Sequence, residues 1–384
     1  MNDKNQQGTN FIWTKNRIIA AIGVVVCVAL IIGYAASTRF WDHGTSKSDN
    51  TQNTSERNDR GVTYTPEPDL DYSECVSMTD YAQVELDMSV TEADLEEARE
   101  ELVGKYASYE QNAGVILADQ QVHVTYTVSV DDKEIKEYGD SKFAYIGQGE
   151  VFAGADQELI KKNTGETQSV SIDIPEGFTG DGRLDGKRAV IQITGDYICG
   201  NLLAMPTYDD AFVKQYTEYK NTAKCDAALE KQLAKTKWQN RGEEAFEVYV
   251  AMSDILKIPD ELRSIVTEDI LGNNEQEARA AGVDLATFYN NHGYADQAAY
   301  RESDLGDLLE ERAGQYMLGR TLMNREELSY TQQQYDRAAL QQYMKSYGFA
   351  SLEGFKMSHS GLITRNAYVV AAQDWMAAHC KFTK

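Results

Sequence analysis

An uncharged apolar run near the N-terminus is the feature that most constrains this chain. Residues 18–36 read IIAAIGVVVCVALIIGYAA, nineteen residues without a charged side chain. At ~1.5 Å per residue, a helix of this length spans nearly the ~30 Å hydrocarbon core of a bilayer. The sequence therefore predicts a transmembrane helix at residues 18–38.

The charge distribution predicts how this helix is oriented. The first 17 residues carry three basic and one acidic side chain, whereas the whole chain has a net charge of −24. Positively charged flanks stay on the cytoplasmic side of a membrane. We therefore predict a single-pass protein of the cell membrane, with its N-terminus in the cytoplasm and the acidic bulk of the chain extracellular. A cleaved signal peptide is the alternative, because residues 34–37 (YAAS) offer a small-residue cleavage site.

Composition argues against several classes of function. With 61 acidic and 37 basic residues, the chain is a poor candidate for binding nucleic acid. It contains no CxxC pair, and its histidines lack zinc-binding spacing, so we predict no metal and no cofactor. The cysteines after the apolar run are either free thiols or form a disulfide by one of three pairings. They are Cys75, Cys199, Cys225 and Cys380.

Hydrophobic periodicity divides the rest of the chain into an α+β arrangement. Residues 39–68 are polar and predict a flexible linker. Residues 90–111 predict a helix that begins at a Thr91 cap. Between residues 121 and 199 the period changes to two, which predicts a small antiparallel sheet with one short helix. After Pro206 the pattern is helical, and residues 224–256 are either one long helix or a pair broken at Gly242.

Three segments carry a resemblance to a known family. The helix VTEADLEEAREELVGKYASYE is similar to the one that leads into the isomerase domain of trigger factor. GQGEVFAGADQEL, followed by NTGE, IDIPEGF and LDGKRAVIQI, resembles the FKBP-type isomerase signature. MPTYDDAFVKQY, followed further on by ILKIPDELRSIV, is similar to the start of trigger factor's helical chaperone domain.

This resemblance covers residues 69–384 and implies a domain order. The apolar run and linker stand where trigger factor has its ribosome-binding domain, so no ribosome-binding domain is recognised. The predicted segments are a cytoplasmic N-terminus (1–17), the transmembrane helix (18–38), the linker (39–68), a helical arm segment (69–118), an FKBP-like domain (119–199) and an all-α chaperone domain (200–384).

The resemblance also implies the residues of an isomerase site. Such an enzyme forms no covalent bond; an apolar cup favours the twisted X–Pro amide over the more polar planar one. The positions that match the cup of the family are Tyr126, Ile135, Val151, Phe152, Phe178 and Ile191. Two positions depart from the family pattern: Ala155 replaces an aromatic residue of the cup floor, and Lys136 replaces an acid.

Two functions follow as hypotheses. The first is a membrane-anchored folding factor, both isomerase and holdase, for unfolded or nascent exported polypeptides and their X–Pro segments. The alternative is a non-catalytic binding chaperone or assembly adaptor, which Ala155 and Lys136 favour. Apolar residues of the helical domain either pack its core or line a cradle for clients. They are Tyr316, Met317, Met323, Tyr330, Tyr335, Tyr343, Met344, Tyr347 and Phe355.

Overall fold

The computed structural model describes residues 71–349 and 351–383, which form an antiparallel sheet and a helical region. The strands are β1 (Val76–Ser77), β2 (Glu85–Asp87), β3 (Ser108–Asn112), β4 (Gln121–Val130), β5 (Lys133–Glu134), β6 (Asp140–Tyr145), β7 (Thr167–Asp173), β8 (Arg188–Ala204), β9 (Asp254–Ile255) and β10 (Lys381–Thr383). The α-helices are α1 (Glu92–Gly104), α2 (Asp210–Tyr216), α3 (Thr222–Ala251), α4 (Asp260–Ala280), α5 (Leu285–Asn291), α6 (Gln297–Arg325), α7 (Gln332–Tyr343), α8 (Leu352–Ser358) and α9 (Ser360–His379).

Strand β8 is the centre of the main sheet. It pairs with β3, β4 and β7, and β4 pairs in turn with β5 and β6, all antiparallel. Along β4 the buried positions alternate with more exposed ones, as the two-residue period of the sequence predicts. A 3-10 helix, Phe152–Leu159, packs against β7 and β8 and contributes Leu159 to the core.

The helical region is built around α9. This helix packs against α3, α6 and α7, and its buried residues are mostly small. Glycines of its neighbours allow the backbones to approach closely. A Cβ on Gly319 of α6 would lie 3.3 Å from the Cα of Val369, and one on Gly242 of α3 would lie 2.3 Å from the backbone oxygen of Gln373. Gly242 is therefore a packing position inside one continuous helix, and the predicted alternative of a break there is wrong.

The prediction of an all-α C-terminal domain preceded by a helical arm is also corrected. Strand β1 pairs with β9, and β2 pairs in parallel with β10, so both predicted segments contain short strands. The Leu256 and Lys257 amides also donate to the Cys75 carbonyl, at 2.9 and 3.2 Å. Extended segments beside a packed core must pair their backbone amides and carbonyls.

The predicted membrane-spanning fold is likewise corrected. No helix within residues 71–349 and 351–383 is long and apolar enough to cross a membrane. Helices such as α6 bury one face and expose charged side chains on the other, as amphipathic helices around a core do. The predicted transmembrane helix at 18–38, with the flanking segments 1–17 and 39–68, lies outside the described residues. The described fold is a mixed α/β one with a helical C-terminal region, and the prediction of a single-pass, extracellular location is corrected with it.

The sheet and the end of the helical region share one apolar core. Residues from α7, α8 and α9 belong to the same buried cluster as those of β4, β7 and β8. At the junction, Met344 lies against Gly149 and Gly154, and the ring of Tyr347 lies against Gly147. The three glycines have φ values of 73°, 71° and 87°, so each suits both a left-handed turn and the close contact.

We expect the close approach of α3 and α9 to make Gly242 intolerant of any side chain. Gly242→Ala should lower the free energy of unfolding by about 1–3 kcal/mol, because the added methyl group meets the Gln373 carbonyl oxygen. Gly272 of α4 has no atom near its Cβ position, so Gly272→Ala should raise stability by about 0.5–1 kcal/mol. Urea unfolding followed by circular dichroism measures both; equal shifts for the two variants would contradict the packing argument.

Candidate peptide-binding site

Tyr126 and Ile191 lie on the two neighbouring central strands of the sheet. Tyr126 of β4 stands opposite Ile193 of β8, and Ile191 stands opposite Val128. Tyr126 is 4% exposed and Ile191 is fully buried. Both positions therefore belong to the core face of the sheet.

Ile135 reaches the same cluster through a tight hairpin. Asp131 and Asp132 form the two-residue turn between β4 and β5, with φ values of 50° and 60°. Positive φ at both central residues suits the right-handed twist of the strands. The returning chain is held where the Ile135 amide donates to the Val128 carbonyl, 2.8 Å away, and Ile135 is buried.

Val151 and Phe152 lie where the chain enters the 3-10 helix. The Gly154 amide donates to the Val151 carbonyl at 2.9 Å, which closes this turn. The Phe152 backbone amide lies beside the Tyr126 hydroxyl. Burial raises the pKa of that hydroxyl, and the amide opposes the rise because it favours the charged oxygen. The family resemblance implies that a backbone amide of the Val151–Phe152 pair holds a peptide carbonyl, and this role remains a prediction.

Phe178 completes the predicted set. Its amide donates to the Pro175 carbonyl at 3.2 Å, and its half-buried ring packs against the same cluster. All six predicted residues therefore come together around one apolar core. Their roles in binding or catalysis remain predictions.

Tyr138 is a member of this cluster that the sequence analysis missed. It is 3% exposed, and its ring packs against Phe152 in a T-shaped arrangement with 5.4 Å between ring centroids. Its hydroxyl donates to Asp181 at 3.4 Å. The sequence signal that could have identified Tyr138 is its position, an aromatic residue three positions after Ile135. None of Tyr126, Ile135, Val151 and Phe152 is more than 7% exposed.

The two departures from the family pattern have different surroundings. Ala155 is fully buried in the cluster. Lys136 is exposed, and the neighbouring Glu137 forms an ion pair with Arg183 at 3.0 Å. Arg183 also pairs with Asp181 at 2.7 Å, so the acid nearest to Tyr138 is engaged by a guanidinium.

Asp156 is a buried acid in the same 3-10 helix. Its Oδ2 accepts the Gly147 amide at 2.6 Å, and its Oδ1 has no hydrogen-bond partner among the described residues. Burial raises the pKa of this carboxyl to about 7, against the lowering effect of the Gly147 amide. Glu150 adds to the rise, and the buried Lys142, which donates to the Glu150 carbonyl, opposes it.

The apolar residues predicted either to pack a core or to line a cradle are core residues. Tyr316, Met317 and Met323 are buried within the helical region, and Tyr330 and Tyr335 are half-buried. Four more are buried at or near the junction with the sheet: Tyr343, Met344, Tyr347 and Phe355. The four described cysteines, Cys75, Cys199, Cys225 and Cys380, are all free thiols.

Comparison with known proteins supports the trigger factor resemblance. No family model matches the chain. The trigger factor of Clostridium kluyveri is 27% identical over 222 residues, which are 56% of this chain and 51% of that protein. The trigger factor of Staphylococcus carnosus is 25% identical over 277 residues, which are 68% of this chain and 60% of that protein. The trigger factor of Anoxybacillus flavithermus is 28% identical over 244 residues, which are 59% of this chain and 54% of that protein.

A solved structure of the trigger factor chaperone, described for promiscuous substrate recognition in folding and assembly, aligns with 79% of this chain over 72% of its own chain. Its sequence identity is 16% and its TM-score 0.28, too low to support an argument about the fold. The chain spans about half the length of the curated relatives it matches. The chain is therefore similar to trigger factor at low identity, which confirms that part of the prediction. Its isomerase domain and activity remain predictions.

We predict that Asp156 makes stability fall as the pH rises. The folded chain keeps this proton up to about pH 7, whereas an unfolded chain releases it near about pH 3.9. Between these values the folded state binds more protons, so raising the pH destabilises it. Asp156→Asn cannot ionise. Its unfolding free energy relative to that of wild type should therefore rise by about 2–3 kcal/mol as the pH goes from 5 to 8.

Asp181→Asn is the matched control for this prediction. Burial raises the pKa of Asp181, but hydrogen bonds from Arg183 outweigh it and hold the pKa below its ordinary value. The contribution of Asp181 therefore changes only at more acidic pH, and the difference between Asp181→Asn and wild type should be constant from pH 5 to pH 8. Urea unfolding at pH 5 and pH 8 measures these differences. If the difference in unfolding free energy between Asp156→Asn and wild type is the same at both pH values, the raised pKa assigned to Asp156 is wrong.

Proposed function

We infer that this chain is a trigger factor-like chaperone that binds unfolded polypeptides through exposed apolar side chains. Its isomerase-like domain then serves mainly as a structural and binding module. The observation that carries this proposal is a group of exposed apolar residues at and beside the two-stranded end of the sheet. We call it the ribbon patch, and its members are Tyr106, Leu202, Leu203, Met205 and Tyr216.

The ribbon patch lies where the sheet narrows to two strands. The end of β8 pairs with β3 alone, with Leu202 opposite Tyr109. Leu203 is 62% exposed and Leu202 49%, so the apolar side chains of this ribbon lie in solvent. Close by, Tyr106 donates its hydroxyl to the Tyr216 carbonyl at 3.1 Å, and the two rings pack 4.4 Å apart.

Such a patch suits promiscuous binding. Single exposed leucines are common, but several large apolar side chains exposed on one short ribbon favour an interaction surface. Methionine and leucine adapt to different apolar partners, and tyrosine adds a polar tip. The net charge of −24 opposes self-association of copies through the patch and favours basic or apolar clients.

We expect loss of the ribbon patch to impair holdase activity. A triple variant, Leu202→Ser, Leu203→Ser and Met205→Ser, should lose most of the protection that the full chain gives to a heat-denatured substrate, measured by light scattering. The control variant removes three exposed apolar residues from other places: Met252→Ser, Leu256→Ser and Leu328→Ser. If the control loses as much protection as the patch variant, the proposed surface is wrong; absence of protection by wild type refutes the chaperone proposal itself.

Prolyl isomerase activity is the second candidate function. The position of the Phe152 amide beside the Tyr126 hydroxyl favours it. The packing of the buried Tyr138 ring on the buried Phe152 ring opposes it, because a proline would have to displace buried side chains in order to reach Phe152. We therefore propose low activity in the wild-type chain.

Tyr138→Ala tests this explanation. Removing the ring should increase the acceleration of proline-limited refolding of a model substrate by about 10-fold or more, because the cup becomes accessible. Tyr145, which lies 47% exposed at the end of β6, offers the matched control Tyr145→Ala, for which no change is expected. Circular dichroism checks that both variants are folded. High activity in wild type, or an inactive but folded Tyr138→Ala variant, would contradict the role given to Tyr138.

A further inference from the structure

Three metal-binding side chains converge at the junction between the sheet and the helices. Asp119 precedes β4, Glu277 lies in α4, and His292 follows α5. One donor atom from each of them lies within 4.8 Å of the other two. The Nε2 of His292 is 3.8 Å from Oε1 of Glu277. Residues separated by up to 173 positions in sequence thus form one mixed nitrogen and oxygen donor set.

The histidine is oriented for binding through Nε2. Its Nδ1 lies 2.8 Å from the Phe288 carbonyl oxygen, which can only accept a hydrogen bond. The proton of the neutral ring therefore sits on Nδ1, and the Nε2 lone pair faces Glu277. A backbone carbonyl that holds the second ring nitrogen is the usual support of a metal-binding histidine.

Asp119 is supported in a comparable way. Its backbone is fixed by an amide hydrogen bond to the Ile146 carbonyl, 2.9 Å away. Its Oδ1 accepts the Tyr347 hydroxyl at 3.3 Å and the side-chain amide of Gln148. These donors come from outside the set of three, and outer hydrogen bonds of this kind orient ligating carboxylates.

The spacing fits a divalent transition metal after a small adjustment. Ligand atoms about 2.1 Å from a tetrahedral zinc ion are about 3.4 Å from one another. The observed 3.8 Å between Nε2 and Oε1 is close to this. Since every pair of donor atoms lies within 4.8 Å, side-chain movements of at most about 1.4 Å bring all three to this spacing. The side chains of Glu277 and His292 are 14% and 28% exposed, so the set is partly shielded yet open to a fourth ligand such as water.

We propose that Asp119, Glu277 and His292 bind a first-row divalent metal ion that links the sheet to the helical region. One imidazole with two carboxylates suits Zn²⁺ and Mn²⁺ better than Mg²⁺, which prefers an all-oxygen shell with several waters. Zn²⁺ binds more tightly than Mn²⁺ to such donors. The site is independent of the ribbon patch and of the isomerase-like cup.

Titration of the metal-depleted full chain with Zn²⁺, by calorimetry, tests the proposal. We expect one ion per chain and an affinity at least ~10-fold lower in each of Asp119→Asn, Glu277→Gln and His292→Gln. His123→Gln is the matched control, because His123 contacts the carboxylate of Asp196 at 2.8 Å but belongs to no group of three donors among the described residues. This variant should bind like wild type.

Absorption of the Co²⁺-loaded chain separates this site from the cysteines. The donor set contains no sulfur, so the spectrum should lack a thiolate charge-transfer band, and its bands should disappear in His292→Gln. Melting of the metal-free variants confirms that they are folded. The proposal is overturned if wild type binds no Zn²⁺, if a folded variant of the three residues binds as well as His123→Gln, or if the spectrum shows thiolate ligation.

Discussion

The packing of residues 343–347 on the glycine turns of the sheet domain is the contact on which the rest of the structure depends. Gly147, Gly149 and Gly154 present bare backbone to Met344 and Tyr347, and no side chain fits in that space. The contact is reinforced where Gln157 donates to the Tyr343 carbonyl at 2.7 Å and Gln148 donates to the Tyr347 hydroxyl at 2.9 Å. It joins the two parts into one apolar core.

This contact also bears on function, because the turns it covers flank Val151 and Phe152. Tyr343, Met344 and Tyr347 are each at most 6% exposed. Exposing a buried side chain of this size costs about 1.5–3 kcal/mol, so separating the two parts would cost on the order of 5–9 kcal/mol. The separated form would then be populated at roughly one in a thousand or less. A client of the proposed chaperone would therefore bind surfaces that are already exposed, such as the ribbon patch.

Local features of the fold were predictable from the sequence, because they depend on neighbouring residues. The cap at Thr91 forms as predicted, and the alternating valines of β4 face the core. At the start of α2 the cap is Asp209, since its carboxylate accepts the Phe212 amide, although Thr207 lies two residues earlier. Several polar residues near a helix start can compete for this role.

Contacts between distant parts of the chain were not predictable in this way. Periodicity marks a residue as apolar but does not name its partner, so the tyrosines of α7 and the following loop suited a cradle as well as a core. The six predicted cup residues do cluster, and the expectation that they would came from the family resemblance, since periodicity alone does not give long-range contacts. The sequence carried no expectation for Tyr138, and its contact with Phe152 became visible only in the structure.

The electrostatics of the junction connect the buried acid with the proposed metal site. Burial first, and then Glu277, Asp119 and Asp156, raise the pKa of the Tyr347 hydroxyl, so this phenol stays protonated and donates to Asp119. Three acids thus surround one contact in a chain that is already strongly acidic. Placing like charges close together in a partly buried setting is unfavourable unless they are neutralised. A proton on Asp156 and a cation between Asp119 and Glu277 each remove part of this repulsion, so both would stabilise the same contact between sheet and helices.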